Sequence, residues 1–306
     1  MVVQRFRDWQ QQRAVDLEID HGWLGPAFNF DIPTQARLES WLDQKFTVIS
    51  LGGVKKRSAP EMRRWLEERK ERGLERVHGV LVGYGEVHDR WVGRRGDFEF
   101  LMQTFRTALE LGLTNSVTLY FTKTTLPMLG HVLTLLGELP RPPEYKHVRQ
   151  FYYGGYAAHQ EAERITETEL RGLPPWASAS FQEHFDSRTE RAWMAVVRSE
   201  DEQPFDLHLS VELTKDNIAG FESRSCEEIC SDLTKRARSD IEKLPSLRQL
   251  AAAHGDCHNP RVYGRFEVTR LWIDRCLDAG AIAFDRALLH EHIGRSGLGE
   301  APALWG

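Results

Sequence analysis

Cysteine is absent from the first 225 residues of this 306-residue chain, and the four present, Cys226, Cys230, Cys257 and Cys276, all fall late. So sparse a set excludes the dense disulfide framework of a small secreted domain, and reduced thiols in the cytoplasm are the expectation. Long apolar runs are also missing. None approaches the ~20 residues that cross a bilayer, and the polar start MVVQRFRDWQQQR does not read as a signal peptide, so no membrane partner is expected. Nor is there an excess of positive charge: 40 Lys and Arg stand against 45 Asp and Glu, for a net charge of -5. No global field gathers nucleic acid, and none is expected as a partner. The basic run Arg63 to Arg76 is interleaved with Glu67, Glu68, Glu71 and Glu75, the pattern of a solvated, salt-bridged helix face. There is no G-x-S-x-G elbow, and Gly52-Gly53-Val-Lys-Lys lacks the spacing of a phosphate loop, which removes support for a serine hydrolase or a P-loop enzyme.

What is present is an alternation of short β-rich runs with amphipathic stretches between about residues 15 and 155, the pattern of parallel strands joined by crossover helices. The runs Ala14 to Ile19, Phe46 to Leu51, Val77 to Tyr84, Ser116 to Phe121 and Val148 to Tyr153 read as strands. Between them, Thr34 to Lys45, a helix opened by Pro60, a helix from Phe98 to Leu109 and Leu126 to Leu139 space their apolar residues as helical faces. That makes at least five βα units. Beyond a boundary near residue 160 the pattern continues with a C-terminal, mostly helical cover: short or longer helices at Thr166 to Leu173, Ser225 to Leu244, Leu247 to His254 and Phe266 to Leu277, with strands at Ala192 to Val197 and Leu207 to Leu213. The expected class is α/β.

Several of these strand ends resemble the radical S-adenosylmethionine superfamily. LERVHGVLVGYGEVHDRWVGRRGDF (Leu74 to Phe98) is similar to that family's fourth strand and the loop after it, with His88-Asp89 and Gly96-Asp97-Phe98 at the family's "HD" and helix-start positions. VISLGG (Val48 to Gly53) resembles the third strand, LEIDHGWLGPAFNFDIP (Leu17 to Pro33) the second, and VRQFYYGGYAAHQEAERIT (Val148 to Thr166) the sixth. The resemblance implies a partial (β/α)6, TIM-like barrel with a C-terminal α/β extension. It also implies a cofactor that this chain is not equipped to use. The family holds a four-iron cluster on a C-x3-C-x2-C loop after its first strand, and no cysteine precedes residue 226 here. The resemblance enters at the second strand, so the first strand and its loop are missing from the pattern. Cys226 and Cys230 have the x3 spacing, but the third position is Leu233. No iron–sulfur cluster and no radical chemistry are therefore expected, while S-adenosylmethionine or a related nucleotide stays within the range of ligands.

Ligands of parallel α/β folds bind where the carboxyl ends of the strands converge. The candidates for acid–base work there are His21, Glu86, His88 and Lys123, and those for ligand binding are Gly22, Gly52, Gly53, Tyr84 and Tyr153. His254, Cys257 and His258 carry donor atoms suited to zinc, and His290 and His292 could add to them; surface histidines beside a loop cysteine are the plainer reading. The function that follows is a non-catalytic or repurposed member of a biosynthetic or peptide-modifying pathway that binds a small molecule, a peptide or a partner enzyme at the barrel mouth, with a homodimer also open. A cluster-free, possibly metal-dependent enzyme and a protein–protein interaction module are the alternatives.

Overall fold

The computed structural model describes residues 2–13, 29, 31–42, 45–150, 160–173, 187–200 and 218–282. The chain divides into two compact units, one of Met1–Asp20, Thr166–Glu169 and Phe185–Glu300, the other of His21–Ile165, Leu170–His184 and Ala301–Gly306. Helix α1 (Val2–Arg13) belongs to the first. The second runs through α2 (Ile32–Leu42), β1 (Val48–Ser50), α3 (Ala59–Lys70), β2 (Arg76–Val82), α4 (Gly85–Val92), α5 (Asp97–Glu110), β3 (Thr114–Phe121), α6 (Leu129–Gly137) and β4 (Glu144–Gln150).

The four strands form one sheet in the order β1-β2-β3-β4, every pair parallel. β1, β2 and β3 fall within or across sequence-predicted strands, while β4 begins four residues before the predicted Val148 to Tyr153 and shares Val148 to Gln150 with it. The predicted strand Ala14 to Ile19 and residues 151–153 lie outside the described residues. Mixed α/β architecture with parallel strands and crossover helices is thus what the alternation encoded. Among the described residues the sheet is open, and a six-unit barrel is not present in it.

Local chemistry explains where the helices start. Ser58 precedes α3, and the Glu61 carboxylate accepts from both its amide (2.9 Å) and its hydroxyl (2.7 Å), while Pro60 sits in the first turn where its missing N–H is no loss. Asp97 and Glu99 place negative charge at the start of α5. From there Phe98, Leu101, Met102, Phe105 and Ala108 recur at helical spacing and are all buried.

The helix α5 lies so close to β2 that Gly79 has no room for a side chain: a Cβ there would stand 2.6 Å from the ring of Phe105. Asn115 of β3 points the same way, its amide donating to the Phe105 carbonyl at 3.0 Å. Leu81, Leu119 and Phe121 line one small void with Leu129 and Val132 of α6, so α6 covers this face too. Strand alternation then assigns Arg76, His78, Val80 and Val82, with their partners Thr114, Ser116, Thr118 and Tyr120, to the opposite face.

The other unit corrects one expectation. Ala192 to Val197 is not a strand but part of a helix, Glu190–Ser199. The apolar run WMAVV fits either state by composition. Thr189 decides it, because its hydroxyl accepts the Ala192 amide (3.3 Å) as an N-cap, and Trp193, Met194 and Val197 then fall on one buried stripe. Helices Cys226–Ile241, Leu247–His254 and Arg265–Asp278 match their predicted segments, and Arg188–Thr189 pairs antiparallel with Val262–Tyr263. The predicted strand Leu207 to Leu213 is outside the described residues. At the centre, Glu190 is wholly buried and accepts from the Asp256 amide (2.8 Å), Asn259 Nδ2 (2.8 Å), Trp272 Nε1 (2.7 Å) and Arg275.

Candidate functional site

Parallel sheets covered on both faces are usually apolar throughout. The face of this sheet turned away from α5 is not. Its lower half carries a band of polar side chains in register: Arg76 Nε donates to Thr114 Oγ1 at 3.4 Å, and an Arg76–Glu144 ion pair of 2.9 Å reaches across β3 to β4. In the next rung, His78 Nδ1 stands 3.0 Å from Ser116 Oγ and its Nε2 stands 3.4 Å from Thr118 Oγ1. Ser116 and Thr118 are buried and His78 is half-buried. An imidazole held between two hydroxyls is chemically equipped to take or give a proton. The upper half of the same face is apolar, where Val82 and Tyr120 pack with Val80 and with Trp91 and Val92 of α4.

His78 was not among the predicted site residues, although the signal was present. In RVHGVLV and TNSVTLYF every second residue of the lower half is polar, the period of a strand with one polar face.

The predicted residues scatter. His21, Gly22, Tyr153, His290 and His292 lie outside the described residues. Gly52 and Gly53 form the turn after β1, with Gly53 at φ 74°, and the Gly53 carbonyl accepts from Asn29 Nδ2 at 2.8 Å. Tyr84 precedes α4 in the turn after β2. It is 38% exposed, and its ring lies against Phe98 (4.9 Å between centroids) and edge-on to His131 (4.5 Å). Glu86 is exposed on the first turn of α4, and Lys123 is exposed after β3, where its amide donates to the Glu163 carbonyl at 2.7 Å.

His88 turns inward and has no exposed surface. Its Nδ1 accepts the Val82 amide at 3.0 Å, so the ring proton is on Nε2, which donates to Asp97 Oδ2 at 3.1 Å. Arg94 also pairs with Asp97 and donates to the Val54 carbonyl. Burial alone would raise the Asp97 carboxyl, yet the His88 hydrogen bond and the Arg94 charge hold it below the ordinary aspartate value. Asp89 accepts the amides of Gly96 and Phe98 (2.9 Å), capping α5 from outside. With both ring nitrogens taken, His88 is built to tie the end of β2 to the start of α5.

His254 ends the helix Leu247–His254 half-buried, its carbonyl accepting from Arg275 at 3.0 Å, while Cys257 and His258 are exposed in the loop that follows. Among the described residues no three His, Cys, Asp or Glu side chains are grouped as a metal site. No family model matches the chain, and no curated protein shows significant similarity to it.

Proposed function

We propose that this chain is a cluster-free relative of the radical S-adenosylmethionine barrels, repurposed to bind a polar ligand on the inner face of its parallel sheet. The observation that carries this reading is the polar band of Arg76, His78, Ser116, Thr118 and Glu144. Only Ser116 and Thr118 of the band are buried, while Arg76 and His78 are half-buried and Glu144 is exposed, so the band offers donors and acceptors that a polar ligand can meet. Strand order supports it as well. A barrel wall advances one strand at a time in one direction, as β1-β2-β3-β4 does, whereas a doubly wound sheet reverses. In this reading the strands belong to a partial (β/α)6 barrel, and the missing early cysteines leave it to bind rather than to cleave.

S-adenosylmethionine is the probe, as the nucleotide the resemblance brings with it. Calorimetric titration of the full chain is expected to give saturable binding, weakened about tenfold or more by His78→Leu, a change of similar volume that removes both ring nitrogens from the band. Absence of saturable binding, or equal affinity in the folded variant, overturns the assignment of this face.

A further inference from the structure

A groove of about 470 Å3 lies between the last turns of α5 and α6. Leu109, Leu135, Leu139 and Pro140 give it an apolar lining, in which Leu139 is buried, Leu109 and Leu135 are half-buried and Pro140 is exposed. Charges border it on both sides. On α5, Glu110 is taken up by Arg63 of α3 and Arg106 is exposed, while Glu138 is exposed where α6 ends. Among the described residues neither Arg106 nor Glu138 has an ion pair or a side-chain hydrogen bond.

The composition of α6 gives a second, independent sign. From Leu126 through Gly137 the run LPMLGHVLTLLG holds no acid, and His131 is its only basic residue. A helix without a charged face is ordinarily covered on every side. Here Gly130, His131, Thr134 and Gly137 are exposed and Leu133 is half-buried. A Cβ at Gly130 or Gly137 would meet nothing within 4 Å, so packing inside the chain does not call for glycine at either position. Glycine weakens a helix relative to alanine, and close approach by another chain is a use for it.

From this arrangement we infer that the α5–α6 groove is the contact face of a symmetric homodimer, set against the same groove of a second copy across a twofold axis. A twofold contact must be self-complementary, because each patch meets its own copy turned through half a circle. This one is: a free cation on the α5 side and a free anion on the α6 side flank an apolar strip. Arg106 then meets Glu138 of the partner subunit, the reciprocal pair forms on the other side of the axis, and leucines meet leucines between them. A specific dimer buries roughly 500–800 Å2 on each copy, so the contact takes in the uncharged face of α6 as well as the groove. The surface lies on the side of the sheet away from the polar band and does not depend on a ligand there.

Sedimentation velocity of the full chain over a wide concentration range is expected to show a reversible monomer–dimer equilibrium. Arg106→Glu and Glu138→Arg each bring like charges together across the axis, and each is expected to weaken the dimer about tenfold or more. The double variant Arg106→Glu, Glu138→Arg restores opposite charges and is expected to return the dimer to within a few-fold of wild type. Both residues are exposed, so circular dichroism should show every variant folded. A wild type that stays monomeric throughout overturns the inference and leaves the face to an unlike partner. A dimer indifferent to both single reversals, or one that the double variant does not recover, overturns the pairing of Arg106 with Glu138.

Discussion

Glu190→Ala is expected to abolish the cooperative unfolding transition of the unit that contains it. Four donors converge on this one carboxylate from the segment between Asp256 and Arg275, and one of them, Arg275, carries a charge that is 28% exposed. Alanine would leave the Asp256 amide, the Asn259 amide, the Trp272 indole and the Arg275 guanidinium without their acceptor, and open a cavity where the side chain stood. Removing one partner of a buried charge pair costs about 3–5 kcal/mol, and a whole domain is stable by only about 5–15 kcal/mol. Glu190→Gln is the milder change, since it keeps one acceptor oxygen and turns an NH2 group toward donors. Circular dichroism during heating checks the order wild type, Gln, Ala. Hydrogen exchange over 190–278 locates the loss, and a Glu190→Ala protein with native protection there would contradict the account of the hub.

His88→Ala is expected to cost about 2–4 kcal/mol, because it leaves both the Val82 amide and the Asp97 carboxylate short of a partner inside the protein. The effect should appear as faster exchange at Val82 and at the first turn of α5. It also has a pH signature. The folded-state value of Asp97 lies below its ordinary value of 3.8, so the stability it contributes is complete above that value and is lost as pH falls through the lowered one. Wild type should therefore lose stability in acid below about pH 4, and His88→Ala, with one of the causes of the lowering removed, should lose less there. Equal acid sensitivity in the two proteins would mean that His88 does not hold the carboxylate.

The sequence carried the sheet well. Four of its five predicted strands are present in parallel order, because each is a short β-rich run closed by glycine or polar residues and followed by an amphipathic helix. It carried the helices Cys226–Ile241, Leu247–His254 and Arg265–Asp278 of the other unit too, but not Val2–Arg13 or Ile218–Ser223, nor Glu190–Ser199, where a β-favouring composition hid a helix that only the Thr189 cap reveals. The site was less legible. His88-Asp89 drew notice as a family-like pair, but a sequence does not say that a histidine faces inward, and here both residues hold helix α5 in place. His78 sat unremarked inside RVHGVLV, although its partners Ser116 and Thr118 share its phase in the next strand. Glu190 was invisible for a different reason. An acid at the first position of a helix reads as a dipole complement, and the donors that make it a hub lie 66 to 85 residues away.

The reading of this protein as a barrel relative that binds without iron is tested most directly by reconstitution. The chain, purified without oxygen, is incubated with ferrous iron, sulfide and dithiothreitol, desalted, and assayed for bound metal, acid-labile sulfide and absorbance near 400 nm. The account predicts substoichiometric metal and no cluster band. Four irons and four sulfides per chain would contradict it.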